Sequence, residues 1–399
     1  MIDLRAARAN PAPVRAALAR KGAAETFDRL LEADERWRAL VPVADDLRGR
    51  TKLKGKPTPE QLEAVQAVKA ELREVEEALA AAEAERDALA LRIPNPPRDD
   101  VPDGSTEDDV VELRRVGEPP ASADPHDHLE LGRFDMERAA RMSGARFGYW
   151  IGDTARLALA LYRLALDRLA AAGFVTVLPP VLVREGALIG TGAFPSDEAN
   201  VYELPADDLY LAGTAEIPVA SLHAGEILAG DELPLRYVAF SPCFRREAGA
   251  AGRDTRGMIR VHQFNKVEQF SLTHPERSWD ELELLLENTE GLVRDLGLPY
   301  RVVVLPAGDM SSASAKTYDV EVWFPSQGRY RETASISNTT DFQARRLQIR
   351  FRGEHGPEPL HTLNGTAVVD RMALAILENF QGDVPDVLRE LGAPDRVAR

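Results

Sequence analysis

Two seams of apolar residues near the start of the chain constrain its fold more than any other feature. Leu30, Ala33, Trp37, Leu40, Ala44 and Leu47 recur at intervals of three and four, and so do Leu62, Val65, Val68, Leu72, Val75, Leu79, Ala82 and, one turn past Arg86, Leu89. Each set falls on one face of a helix, and neither face can be buried alone. The two helices are therefore expected to pair as an antiparallel coiled coil. Asn10-Pro11 reads as a cap and first-turn proline opening a short helix that ends at Lys21-Gly22. Thr58, Pro59 and Gln61 form a start signal for the second long helix. Pro42 lies inside the first seam and is expected to kink or interrupt it. Between the seams lie Arg48, Arg50, Lys52, Lys54 and Lys56 with no acid among them. The whole chain carries a formal net charge of -16. A basic tip on an acidic chain suits a contact with nucleic-acid phosphates.

Residues 93–104 are rich in proline and mark a boundary. The expected domains are an arm, residues 1–98, and a larger domain, residues 99–399. In the latter, strand-like runs mostly follow one another as hairpins, with helical segments at Thr154–Ala172, Trp279–Leu296 and Arg371–Phe380. That order predicts an α+β fold, an antiparallel sheet carrying helices, and not a doubly wound parallel one. Neither GxGxxG nor GxxxxGK[ST] occurs, so any nucleotide must be held by another device.

The segment from Phe244 to Glu268 offers that device. Five arginines stand between 245 and 260 (Arg245, Arg246, Arg253, Arg256, Arg260) against Glu247 and Asp254. The flanks are apolar, which predicts a hairpin with a cationic loop and a second strand over Met258–Leu272. On that strand Arg260, Phe264 and Glu268 share a parity and hence a face. A cation, a flat ring and a carboxylate in a row fit a polyphosphate, a planar base and an amino group.

Other positions offer weaker signals. Thr214 and Glu216 sit on a turn before a short helix. Glu332 and Ser335 offer hard oxygens suited to Mg²⁺ carried by nucleotide phosphates. Arg371 stands near a helix start, where a cation opposes the helix dipole unless an anion binds there or Asp370 neutralises it. The single cysteine, Cys243, excludes an internal disulfide and a cysteine-based zinc site, and reads as a small core residue. The N-terminus lacks the apolar run of a secretory leader, and no run of about 18 apolar residues exists to span a membrane. A cytoplasmic location is expected.

Taken together, these residues resemble the bacterial-type seryl-tRNA synthetases, a family of class II aminoacyl-tRNA synthetases. The resemblance spans nearly the whole chain. The family's first motif matches residues 173–180, with Pro180 at a homodimer interface. Its second matches Phe244 to Glu268, with the arginine–glutamate pair at Arg245 and Glu247. Its third matches Leu363-Asn-Gly-Thr366 through Arg371 to Asn379. The resemblance implies a class II catalytic domain behind a tRNA-binding arm. It implies activation of serine with ATP and Mg²⁺, without zinc, and transfer of the seryl group to tRNA(Ser), or to tRNA(Sec) where present.

The resemblance also implies roles. Arg245, Glu268, Arg371 and Arg260 are catalytic. ATP contacts Arg245, Glu247, Phe264, Arg260, Glu332, Ser335 and Arg371. Serine contacts Thr214, Glu216, Arg245, Glu268, Asn364 and Thr366, and Glu332 and Ser335 hold Mg²⁺. Arg48, Arg50, Lys52, Lys54 and Lys56 meet tRNA. Two departures stand out: an arm about ten residues shorter than usual, and one residue fewer between Thr366 and Arg371. Were that segment helical, the loss would swing Arg371 by about 100°. Two other readings are a serine-activating relative with a non-translational acceptor and a non-catalytic tRNA-binding homologue. The first has no need of a basic tip, and the second predicts loss of Arg245, Glu268 or Glu332.

Overall fold

The computed structural model describes residues 1–52, 58–120, 124–248 and 257–398. The chain divides into two compact units, Met1–Pro96 and Pro97–Arg399.

The first unit is helical: α1 (Leu4–Ala9), α2 (Pro11–Ala19), α3 (Ala24–Arg50) and α4 (Pro59–Arg92). Asp3 caps α1, accepting from the Ala6 N–H at 2.9 Å. Asn10 closes α1 and precedes α2, but its side chain makes no capping bond. Its non-helical backbone (φ -143, ψ 78) makes the turn between two helices, a junction that the sequence pattern did not reveal. Thr58 and Gln61 form the expected capping box at the start of α4. The two seams do pack. Leu30, Ala33, Ala44 and Leu47 on α3 and Ala82 and Leu89 on α4 are buried, whereas Leu62 near the tip is exposed. Ion pairs Arg36–Glu85 (2.7 Å) and Arg48–Glu76 (2.9 Å) run between the helices and show them antiparallel. Pro42 does not interrupt α3. It lies on the exposed face, so its missing N–H is on the solvent side while the seam residues on either side hold the helix together.

The tip is less bare than its sequence suggests. Arg48 also pairs with Asp45 at 3.1 Å, and Arg50 with Asp46 at 3.7 Å. Lys54 and Lys56 lie outside the described residues, as do Arg253 and Arg256 of the cationic loop.

In the second unit, eight strands pair into one sheet: β1 (Val111–Val116), β2 (Val175–Val177), β3 (Leu235–Phe244), β4 (Gln263–Thr273), β5 (Tyr300–Val304), β6 (Lys316–Phe324), β7 (Arg329–Asn338) and β8 (His361–Val369). Their order is β1-β5-β6-β7-β8-β4-β3-β2. Every neighbouring pair is antiparallel except β2 with β3. This is the antiparallel α+β architecture that the hairpin order predicts.

Alternation along the strands explains the two faces. Val238, Val267, Val302, Val320, Val322, Ile336 and Leu363 all point to one side, where they meet α6 (Asp153–Ala171), α8 (Ser278–Asp295) and α10 (Asp370–Asn379) through Leu157, Leu161, Leu282, Leu285, Met372 and Ile376. Cys243 is buried, as its reading as a core residue requires. The opposite side, lined by polar residues, carries the cavity described below. Among the described residues no helix is long and apolar enough to cross a membrane.

Three one-residue bulges modify this alternation, one of them at Leu113 on the edge strand β1. Between the pairs Val320↔Ala334 and Glu321↔Glu332, β7 has an extra residue, Thr333. Between Val267↔Val368 and Glu268↔Thr366, β8 has an extra residue, Ala367. A bulge shifts the side-chain phase by one.

Glu281 ties α8 to the sheet. Arg236 on β3 donates to it twice (2.6 and 2.8 Å), and Ser271 on β4 donates at 2.8 Å. Glu281→Ala strands these donors and is expected to lower unfolding free energy by about 3 kcal/mol, as breaking a largely buried pair does. Glu281→Gln keeps an acceptor and should cost less. Urea denaturation of both variants measures the difference, and equal loss in the two would contradict it.

Candidate active site

A cavity of about 300 Å³ opens on the polar face of the sheet over β4, β7 and β8. Its wall includes Thr214, Glu216, Arg245, Glu247, Phe264, Glu268, Glu332, Ser335, Asn364, Thr366 and Arg371. The sequence had nominated all of these.

Phe264 and Glu268 face the cavity because both are even-numbered on β4. Arg260 does not belong to that strand. The chain at Met258–Val261 is not yet in the ladder, which opens with the Arg245 N–H donating to the His262 carbonyl at 3.0 Å. Residues before that rung are drawn elsewhere: the His262 N–H goes to the Arg146 carbonyl (2.9 Å) and the Met258 N–H to His128. The parity reading thus fails for Arg260. Its guanidinium pairs with Glu247 and lines an adjoining cavity of about 980 Å³. That cavity shares Glu332, Ser335 and Arg371 with the smaller one.

One end of the cavity is acidic. Glu268, 2% exposed, is paired with Lys266 and accepts weakly from the Thr214 hydroxyl at 3.4 Å. Glu216, the first residue of α7 (Glu216–Ala220), accepts from the side-chain amides of Gln343 on α9 (Phe342–Leu347) at 2.7 Å and of Asn364 at 2.9 Å. Burial, and then the charge of Glu268, push the Glu216 carboxyl up to about 7. Thr214 lies one residue before the N-cap of α7. Ala215 holds the cap position, and the Thr214 hydroxyl accepts from the Glu216 N–H at 3.2 Å. The amide of Asn364 points at Glu216, which leaves its carbonyl oxygen as the acceptor on the other side.

The other end is cationic. The Arg245 guanidinium lies 5.3 Å from the Phe264 ring centroid, and its Nε donates to the Gly213 carbonyl at 3.2 Å. Gly213 packs against the Arg245 stem, where an added Cβ would sit 3.6 Å from Cγ. Glu247 has a left-handed backbone (φ 52), a strained state for a non-glycine residue and a common one at functional sites. Arg371, in the first turn of α10, donates to the carbonyls of Ile259 (3.2 Å) and Glu332. Asp370 does not serve as its counterion. The Asp370 carboxylate accepts from the Tyr162 hydroxyl and from the Asn265 N–H (2.9 Å). The segment before Arg371 is strand up to Val369, with the bulge at Ala367, and not helix.

The bulge at Thr333 decides the third wall. Glu332 and Ser335 are three apart and would face opposite sides of a regular strand. With Thr333 inserted they share the cavity face. The Ser335 hydroxyl donates to Asp319. Burial and then the nearby Glu332 charge push the Asp319 carboxyl well above the usual range.

Sequence reasoning missed Lys266 and Asp319. Lys266 was legible, since it shares the parity of Phe264 and Glu268. Asp319 was not, because only the β6–β7 register sets it opposite Ser335.

The raised carboxyl of Glu216 has a consequence for stability. Its folded value, about 7, lies above the ordinary 4.5. Between those pH values the unfolded chain gives up the proton first, so stability is full below about 4.5 and falls as pH rises to about 7. Glu216→Gln keeps a neutral acceptor for Gln343 and Asn364. The variant's unfolding free energy relative to the parent should therefore rise across that window by on the order of 2 kcal/mol. A pH-independent difference in thermal unfolding would contradict this.

Comparison with known proteins places these features. Residues 201–380 match the model of the tRNA synthetase class II core domain (G, H, P, S and T), and residues 1–97 that of the seryl-tRNA synthetase N-terminal domain. A serine–tRNA ligase of Thermobifida fusca is 46% identical, covering 99% of this chain and 98% of that protein. One of Mycolicibacterium vanbaalenii is 47% identical, covering 96% and 94%. The crystal structure of seryl-tRNA synthetase from Pyrococcus horikoshii complexed with ATP superposes with a TM-score of 0.92 at 38% identity, covering 100% of this chain and 99% of that one. That of the cytoplasmic serine–tRNA ligase from Naegleria fowleri in complex with AMP gives 0.87 at 31%, covering 97% and 95%. The chain belongs to the seryl-tRNA synthetase family of class II aminoacyl-tRNA synthetases.

Proposed function

We propose that the chain is a serine–tRNA ligase that activates serine with ATP in the 300 Å³ cavity and passes the seryl group to the terminal ribose of tRNA(Ser). The observation that carries this reading is the polarity of that cavity. Its acidic end is built for a small ammonium and hydroxyl, and its cationic end with Phe264 for a phosphate and a base.

Serine would place its ammonium against Glu268 and Thr214, with its hydroxyl within reach of Asn364, Thr366 and Glu216. A pocket whose polar groups are matched by that hydroxyl rejects alanine, which leaves them unpaired. The 300 Å³ volume limits bulkier side chains. Adenine would stack on Phe264 with Glu247 reading its amino group. The serine carboxylate attacks the α-phosphorus in line and pyrophosphate leaves. A tRNA ribose hydroxyl then takes the acyl group and AMP departs. Arg245 would stabilise the carboxylate and then the α-phosphate, with Arg371 and Arg260 on the outer phosphates. No covalent enzyme intermediate is needed. Positioning and fixed charge supply the rate.

Glu332 and Ser335 fit Mg²⁺ brought in with the nucleotide. The donors are hard oxygens on one wall, and two of them suit an ion that keeps waters and phosphates as its other ligands. Because the Ser335 proton is given to Asp319, its lone pairs are left to accept a cation. Bound there, Mg²⁺ would neutralise phosphate charge.

The arm, residues 1–98, would grip tRNA by backbone and shape, with Arg48, Arg50, Lys52, Lys54 and Lys56 at its tip. Residues 99–399 would form the catalytic domain. A second copy would pair along β2, an edge strand that leaves Val175 and the nearby Leu178 exposed beside the Pro180 motif. The chemistry suits the cytoplasm, where tRNA, ATP and serine are present together.

Serine-dependent ATP–pyrophosphate exchange, followed by a charging assay with tRNA(Ser), tests the reading. Exchange with charging is expected. Exchange without charging would point to another acceptor, and no exchange would overturn the assignment. Arg245→Ala should lower exchange at least about 10²- to 10³-fold. Exchange near the parent rate would refute its role. Replacing Arg50, Lys52, Lys54 and Lys56 with serine should leave exchange intact and raise the KM for tRNA about tenfold, with a weaker salt dependence. Unchanged charging kinetics would show an idle tip.

A further inference from the structure

His128 lies outside the candidate active site, yet it is 3% exposed and held from every side. It opens the short helix α5 (His128–Leu131). Its Nδ1 is 2.8 Å from Oε1 of Glu378, a residue near the end of α10 that is fully buried. Its Nε2 accepts from the Met258 N–H at 3.2 Å. The other Glu378 oxygen accepts from the Ser326 N–H at 3.1 Å. Gly257 lies against the ring at φ +83, where an added Cβ would come within 2.6 Å of Nε2.

We propose that His128 and Glu378 are positioning residues that hold the returning limb of the cationic loop, residues 257–261, in the shape the ATP site requires. Met258, Ile259 and Val261 form part of the cavity wall. Two of the limb's tethers involve α10. The Met258 N–H is fixed by His128, and the Ile259 carbonyl is fixed by Arg371. Both lead back to α10, whose first turn carries Arg371 and whose last turn carries Glu378. One rigid helix therefore anchors both ends of the tether.

The tautomer of His128 makes the device specific. A backbone N–H can only donate, so Nε2 must present its lone pair to Met258. The ring proton is then on Nδ1, and Glu378 takes it. The carboxylate selects the tautomer, and the tautomer holds the loop. A core histidine with a purely packing role would not need its Nε2 lone pair directed at the loop.

This inference rests on the cavity being an ATP site, and Glu378→Gln tests it. A carboxamide cannot satisfy all the donors at once. If its oxygen accepts from Nδ1–H, its NH₂ meets the Ser326 N–H. If it turns over and donates to Nδ1, the ring proton moves to Nε2 and meets the Met258 N–H. The KM for ATP in pyrophosphate exchange should rise about tenfold, the effect of losing one buried hydrogen bond, while the KM for serine stays within about twofold. Hydrogen exchange at the Met258 amide should quicken by a similar factor. In the parent, ¹⁵N imidazole spectra should show His128 as the Nδ1–H tautomer, a readout that holds even if the variant folds poorly. An Nε2–H tautomer in the parent would overturn the proposal, as would an unchanged KM for ATP together with unchanged Met258 exchange. Parent enzyme without any exchange activity would overturn the ATP reading and this role with it. Normal parent activity with an unaffected variant would overturn this role alone.

Discussion

The site depends on the phase of strand alternation, and two inserted residues set that phase. A regular strand commits every second side chain to one face. Here one face must pack on helices and the other must carry charge. Thr333 on β7 lets Glu332 join Ser335 on the polar side without turning Ala334 and Ile336 out of the core. Ala367 on β8 does the same for Val369 beside Thr366 and Asn364, while Ala367 and Val368 both stay inside. Without Thr333, Glu332 and Ser335 could not share one wall of the cavity, and without Ala367, Val369 could not join Asn364 and Thr366 on another.

Charge balance is the second constraint. Taking ionised groups out of water is costly unless they are paired. The acidic end answers this in two ways. Glu268 is paired with Lys266. Glu216 is held by two amides and pushed toward its neutral form. Both carboxylates are thereby held out of water with little uncompensated charge. At the cationic end, Arg245 and Arg371 are fixed by backbone carbonyls, which orient a guanidinium without cancelling its charge. That is the preorganisation that phosphoryl chemistry rewards.

Much of this was legible in the sequence, for identifiable reasons. The arm was readable because a seam of three-and-four spacing has one physical solution, and the cap at Thr58 marked its start. The antiparallel sheet followed from hairpin order. Phe264 and Glu268 were readable because β4 has no bulge, and Lys266 could have been read by the same rule. Arg260 was misplaced because the apolar flank of the loop resembles strand, while the backbone bonds that pull it aside come from residues 128 and 146, far away in sequence. Pro42 does not interrupt α3, where Ala44 and Leu47 beyond it are buried in the seam, and burial is not visible in the spacing alone. The Ser335–Asp319 and His128–Glu378 contacts needed register and tertiary packing, which one sequence does not display.

On the proposed function, a single cavity holds serine at its carboxylate end and ATP at its guanidinium end. A crystal structure with a non-hydrolysable seryl-adenylate tests it most directly. Glu268 should lie about 3 Å from the ammonium and Arg245 about 3 Å from the phosphate, with adenine on Phe264. Adenylate bound elsewhere, or bound with Glu268 and Arg245 turned away, would contradict it.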